Sequence, residues 1–149
     1  MLRYRKALPF MLLLGAVTAC DSGRHSSAGF RLAADGDVAR GKTAFVELGC
    51  HSCHAVSGVD LPQPTVRPPV PVVLGGLTTR EMNDGYLVTS IINPSYRLAP
   101  QPKEAIAVAG RSRMPEYADK LTVRQLTDLV AFLQSRYEFR RPIARYPAY

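Results

Sequence analysis

The sequence feature that most constrains the fold is a five-residue stretch, Cys50-His51-Ser52-Cys53-His54. Its two cysteines lie three apart, on one side of a helical turn or tight loop, and a histidine follows directly, which is the spacing that attaches a c-type haem. Each thiol can add across a haem vinyl group, and the imidazole of His54 can then ligate the iron. The motif therefore predicts a chain that folds around one covalent haem c.

Three other interpretations of the cysteine pair are open. A structural zinc site needs four ligands, and no second pair of Cys or His residues follows downstream. A thioredoxin-like redox pair needs a surrounding pattern of strand and helix, which we do not find in the sequence. A structural disulfide would leave His54 without a role. We therefore favour haem attachment.

The amino-terminal 20 residues have the pattern of an export signal, in which a basic start precedes an apolar run too short to cross a bilayer as a stable helix. Val17-Thr18-Ala19-Cys20 resembles the lipobox of bacterial lipoproteins, which implies a diacylated Cys20 at a new amino terminus. An ordinary cleaved signal is the alternative. We predict a signal peptide over residues 1–19 and a lipidated amino terminus with a flexible tether over residues 20–35.

The net charge of the mature chain is small. The formal charge of +7 includes three basic residues of the signal, and without them 16 basic residues face 12 acidic ones. This balance, and the lack of a basic stripe with interleaved aromatic residues, argues against nucleic acid as a partner. Arg136, Arg140, Arg141 and Arg145 cluster near the end of the chain, and we interpret residues 139–149 as a solvated basic tail.

The first helix is predicted from Asp37 to Gly49, with Asp35 or Asp37 as its cap. Gly41 and Phe45 lie four apart on one face of this helix. Because glycine has no side chain, another helix can approach closely at Gly41. The haem motif follows directly after Gly49.

Two further helices are predicted to start at capping boxes, in which a Thr and a Glu or Gln three residues later exchange hydrogen bonds with the backbone. The middle helix would start at Thr78 with Glu81 and end before Asn93-Pro94. The last helix would start at Thr122 with Gln125 and has the most regular apolar spacing in the chain.

Five prolines lie between residues 59 and 77, where they exclude an ordinary helix or a central strand. We predict a rigid, extended, proline-rich wall there, which would cover a haem edge. The whole pattern predicts an all-α fold of three to four helices over residues 36–138, wrapped around the haem.

These motifs together resemble the class I, or monohaem, cytochromes c. The likeness rests on the haem motif, on Gly41 to Phe45, on Leu129-Val130-Ala131-Phe132 and on Met114-Pro115 before the last helix. It implies that Gly41 and Phe45 pack against Leu129 and Phe132. The segment from Asp84 to Ser95, taken with Met114-Pro115, is most similar to the cytochrome domain fused to subunit II of some haem-copper oxidases. The longer proline-rich wall and the basic tail depart from that relative.

The resemblance implies His54 as the proximal iron ligand and Met114 as the distal one. A methionine thioether favours reduced iron and raises the reduction potential, as electron transfer requires. We interpret Met82 as core filler and expect His51 to face solvent. With both axial positions occupied by protein, the chain is predicted to be an electron carrier and not an enzyme.

The predicted function is that of a membrane-tethered cytochrome that carries single electrons between membrane-bound complexes of a respiratory or photosynthetic chain. The alternative is a fixed electron-transfer subunit of a larger oxidoreductase complex, while a haem peroxidase or gas sensor would need an open iron position. The expected partners are membrane-bound redox proteins and the membrane itself through Cys20, with no nucleic acid and no small-molecule substrate. We expect an exported bacterial protein on a membrane facing the periplasm, for which we favour the inner membrane, or on the outer cell surface.

Overall fold

The computed structural model describes residues 30–64 and 70–141, so the predicted signal peptide, Cys20 and the end of the basic tail lie outside the described residues. Within them the chain forms four α-helices: α1 (Val38–Glu47), α2 (Asp84–Ile92), α3 (Lys103–Ile106) and α4 (Val123–Gln134). It also forms six strands: β1 (His54–Val56), β2 (Val72–Leu74), β3 (Gly76–Thr78), β4 (Ala107–Val108), β5 (Arg111–Ser112) and β6 (Tyr137–Phe139). The predicted small helical fold is correct in its main elements, but the description as all-α omitted these short strands.

The strands pair in three sheets of two. β1 and β2 are parallel, with His54 opposite Val72, and β3 and β6 are parallel, with Gly76 opposite Tyr137. β4 and β5 form an antiparallel hairpin. β2 falls inside the predicted proline-rich wall and β3 begins in it. β2 forms because the prolines end at Pro71 and the next residues, Val72 and Val73, are β-branched, which favours extended pairing.

The packing of α1 against α4 is the centre of the fold. A Cβ atom added to Gly41 would lie 2.0 Å from the carbonyl oxygen of Asp128 and 2.6 Å from Cβ of Phe132, so the two backbones meet at this glycine. One turn along, the rings of Phe45 and Phe132 pack edge to face with centroids 5.7 Å apart. Leu129 is buried in the same core. The predicted contact of the first and last helices is therefore confirmed.

Two of the three predicted helix caps are confirmed. Asp37 caps α1 by accepting a hydrogen bond from the backbone N–H of Arg40, and Thr122 and Gln125 form the predicted capping box of α4. The predicted start of the middle helix at Thr78 is wrong. α2 begins at Asp84 with Asn83 as its cap, because Thr78 is engaged in the pairing of β3 with β6.

The folded domain extends beyond both ends of the predicted range, residues 36–138. The backbone N–H of Leu32 donates to Oδ2 of Asp84 at 3.0 Å, and Asp35 forms an ion pair with Arg124 at 2.8 Å, so residues assigned to the tether contact the domain. At the other end, β6 runs past residue 138, and the N–H of Arg140 donates to the carbonyl of Thr78. The first residues of the predicted tail are thus part of a sheet.

The largest fully buried side chains are Leu129, Val130 and Phe132, all on α4. Met82 packs against this core, as predicted, although it precedes α2 and is not on its helical face. Among residues 30–64 and 70–141, no helix has the length and apolar character needed to cross a membrane.

Candidate haem site

The haem motif forms a tight turn at the carboxyl end of α1. Leu48 caps the helix, and Gly49 takes the left-handed conformation (φ 73°), in which glycine commonly ends helices. A single 3-10 turn over Cys50–Ser52 follows, and the N–H of Cys53 donates to the carbonyl of Cys50 at 3.2 Å. Side chains three apart in such a turn lie on the same side, so the local fold presents the two cysteines together.

Both cysteines of this turn are free, so the structure contains no disulfide between them. Cys50 is half-buried and Cys53 is exposed. Burial raises the pKa of the Cys50 thiol, an effect that the neighbouring Tyr117 hydroxyl partly opposes. The buried surroundings of Cys50 therefore favour a neutral sulfur atom. The sulfur of a thioether bond to haem is neutral.

His54 begins β1, next to the turn, and its imidazole is half-buried. Burial lowers the pKa of this histidine, and the backbone of Val72 opposes the shift in part. Neutral imidazole is the form that ligates a metal. Among the described residues, the Nδ1 atom of His54 is buried and has no hydrogen-bond partner. A histidine that ligates a metal through one ring nitrogen normally donates a hydrogen bond from the other.

A cavity of about 430 Å³ lies against the turn and His54. Its walls are mostly apolar and include three prolines of the predicted wall. Other residues that line it include His51, Cys53, His54, Val56 and Leu61. The volume falls within the range of ligand pockets, roughly 300 to 1,000 Å³. Cys53 and the desolvated imidazole of His54 line this partly apolar cavity, whereas Cys50 does not line it and packs against the core. A cavity beside a thiol and a neutral imidazole fits a covalently attached haem.

His51 is less exposed than we expected. His51 is half-buried and lines the same cavity, and its buried Nδ1 atom has no hydrogen-bond partner within residues 30–64 and 70–141. His51 lies in the 3-10 turn and His54 begins β1, and both line the cavity.

Met114 lies half-buried on the loop that follows β5 and is not among the residues that line the cavity. Its N–H donates to Oγ of Ser112 at 3.1 Å, and the N–H of Ser112 donates to Oγ of Ser95 at 3.2 Å. The structure thus brings Cys50, Cys53 and His54 together and places Met114 on a separate loop.

Tyr117 connects that loop to the haem motif, and the sequence analysis missed it. It is only 9% exposed, and its hydroxyl donates to the carbonyl of Leu48 at 3.0 Å. Burial, and next the adjacent Cys50, raise the pKa of this phenol. The signal in the sequence was an aromatic residue three positions after Met114 in a stretch without helical periodicity.

The family model for Cytochrome c matches residues 38–136, about two thirds of the chain. The chain therefore belongs to the cytochrome c family. It is a small, mainly helical haem c protein, and the family as a whole carries electrons. The comparisons with curated proteins and with solved structures gave no significant match.

Proposed function

We propose that this cytochrome is a lipid-anchored, monohaem electron carrier that passes single electrons between membrane-bound redox complexes. The observation that supports it most directly is the turn from Cys50 to Cys53 beside His54, whose desolvated imidazole lines an apolar cavity. In this proposal Cys50 and Cys53 form the two thioether bonds, and His54 is the proximal ligand. The bound group supplies a one-electron iron couple.

Met114 is proposed as the distal ligand. Its thioether is a soft donor that stabilises reduced iron, and its loop is hydrogen-bonded on one side through Ser112 and on the other through Tyr117. If His54 and Met114 both ligated the iron, no position on it would remain for a substrate. The residues around the site would then keep water away from the iron and hold its ligands in place in both oxidation states.

Replacement of Met114 by alanine tests this assignment. Met114→Ala should lower the reduction potential, because a soft ligand to reduced iron is lost, and the reduced protein should bind carbon monoxide. Met82→Ala is the matched control, since Met82 packs against the core and its loss should reduce stability without opening the iron. Optical redox titration and carbon monoxide binding measure both effects. A Met114→Ala protein with the wild-type spectrum and potential would contradict the proposal.

The membrane anchor is proposed from the lipobox at Cys20. Because Leu32 and Asp35 contact the domain, the predicted tether would end before Leu32. If the 11 residues from 21 to 31 were a flexible chain, they would span about 17 to 20 Å, at roughly 5 to 6 Å times the square root of the residue number. The haem domain would then stay in a thin layer at the membrane, at high effective concentration for membrane-bound partners.

Detergent-phase partitioning and intact-mass analysis of the exported protein test the anchor. The wild type should partition into detergent and carry the added mass of acyl chains, and Cys20→Ser should do neither. Purification in mild detergent distinguishes a free electron shuttle from a fixed subunit of a larger complex. A stable stoichiometric complex would contradict a free shuttle and favour a fixed subunit.

A further inference from the structure

The loop that carries Met114 is fastened to the fold at both ends. On its amino-terminal side, hydrogen bonds through Ser112 lead to Ser95, and the N–H of Arg113 donates to the carbonyl of Ile106 at 2.8 Å. These contacts lie in the segment between α2 and the hairpin of β4 and β5. They hold the loop, but they do not connect it to the turn that carries the cysteines.

The carboxyl-terminal side of the loop makes that connection through Tyr117. Its hydroxyl donates to the carbonyl of Leu48, 69 residues earlier in the chain. Leu48 caps α1, and the last carbonyls of a helix have no partner within the helix, so Tyr117 satisfies one of them. Among the hydrogen bonds of the described residues, this one joins the Met114 loop to the residues next to Cys50. The ring of Tyr117 is buried and the bond itself is partly buried, so the bond is partly shielded from water.

We propose that Tyr117 is a positioning residue that holds the Met114 loop against the haem-attachment turn. The inference rests on the proposed role of Met114 as the distal ligand. Tyr117 sets how often that ligand leaves the iron, because its hydrogen bond must break, or the loop must strain, when the loop moves away. The bond ends two residues before Cys50 and starts three residues after Met114, so little chain lies between the anchor and either attachment point.

The haem-loaded Tyr117→Phe protein tests this role, because phenylalanine keeps the buried ring and removes only the hydroxyl. External imidazole competes with a distal ligand for ferric iron, and its apparent affinity rises with the fraction of protein in which that ligand is displaced. Loss of one neutral hydrogen bond should raise the imidazole affinity roughly threefold to tenfold. Tyr96→Phe removes the same hydroxyl from a side chain that is 70% exposed and should leave the affinity unchanged.

A double-mutant cycle with Met114→Ala separates positioning from general stability. If Tyr117 acts through Met114, Tyr117→Phe should have no effect on imidazole affinity once Met114 is alanine. A merely structural role would lower the free energy of unfolding and leave the imidazole affinity of the folded protein at the wild-type value, which would overturn the proposal. An effect of equal size in both backgrounds would also overturn it.

The same series distinguishes this inference from the proposed function. If Met114→Ala opens the iron and Tyr117→Phe does nothing, the positioning role fails and the ligand assignment stands. If Met114→Ala leaves the spectrum and imidazole affinity at wild-type values, Met114 is not the ligand and both proposals fail.

Discussion

Arg40 in α1 donates two hydrogen bonds to the carboxylate of Asp128 in α4, from Nε to Oδ2 at 2.8 Å and from Nη2 to Oδ1 at 3.1 Å. The carboxylate also accepts from the backbone N–H of Asp37, the cap of α1, at 2.8 Å. The Asp128 side chain is only 4% exposed, whereas that of Arg40 is 57% exposed. A paired arginine fork and a backbone donor thus satisfy a buried charge at the contact of the two main helices.

This arrangement predicts a pH dependence of stability. The hydrogen bonds from Arg40 are the largest cause that lowers the pKa of Asp128 below its ordinary value of 3.8. Because the pKa of this carboxyl is lower in the folded state, the unfolded chain binds the proton more readily than the folded protein. The carboxylate therefore stabilises the fold at pH values above the ordinary pKa. This stabilisation is lost as the pH falls through the pKa of the folded state. Asp128→Asn should therefore be less stable than the wild type at neutral pH and lose less stability between about pH 5 and pH 3.

Urea denaturation of the haem-loaded proteins, repeated across this pH range, measures the effect. Asp119→Asn is the matched control, because Asp119 is exposed on the surface. Parallel stability profiles for the wild type and Asp128→Asn would show that the pair with Arg40 does not contribute to acid sensitivity.

The close approach at Gly41 predicts a large loss of stability for Gly41→Ala. The added methyl group would overlap the backbone carbonyl of Asp128, which cannot move aside as a flexible side chain could. We expect destabilisation by about 3 kcal/mol or more, at the upper end for overpacked cores. Gly85→Ala in α2 is the control, since a Cβ there meets its nearest neighbour at 3.7 Å. Alanine at that helical position should be neutral or stabilising by up to about 1 kcal/mol.

Denaturation midpoints in urea give the comparison directly. Equal stability of the two alanine variants would mean that the helices can separate at Gly41 at little cost. That result would contradict the packing described for α1 and α4.

Local chemistry made part of this fold predictable from the sequence. The caps at Asp37 and Thr122 depend on residues within three positions of each helix start, and the family resemblance pointed to the contact of Gly41 and Phe45 with α4. The haem turn is also recognisable locally, because the spacing of its two cysteines and its histidine lies within five consecutive residues. The caps and the haem turn are visible without knowing where distant residues lie.

The features that the sequence did not predict depend on distant partners. Thr78 is part of a strand because it pairs with Phe139, about 60 residues later, so its apparent capping box is not used. Leu32 joins the domain through Asp84. Tyr117 acquires its partner Leu48 only when the chain folds. Short strands of two or three residues have no periodicity of their own to read.

The three cysteines of the chain allow the proposed attachment site to be tested residue by residue. If Cys50 and Cys53 each add across one vinyl group, replacement of either by alanine should leave a single thioether bond, and replacement of both should leave haem that extracts into acidified organic solvent. The absorption of the alkaline pyridine complex should shift stepwise from the wild type to the single variant, because each unsaturated vinyl group extends the conjugation of the ring. Cys20→Ser is the matched control and should keep both bonds. Haem that stays covalently bound in the double alanine variant would contradict the assignment of Cys50 and Cys53.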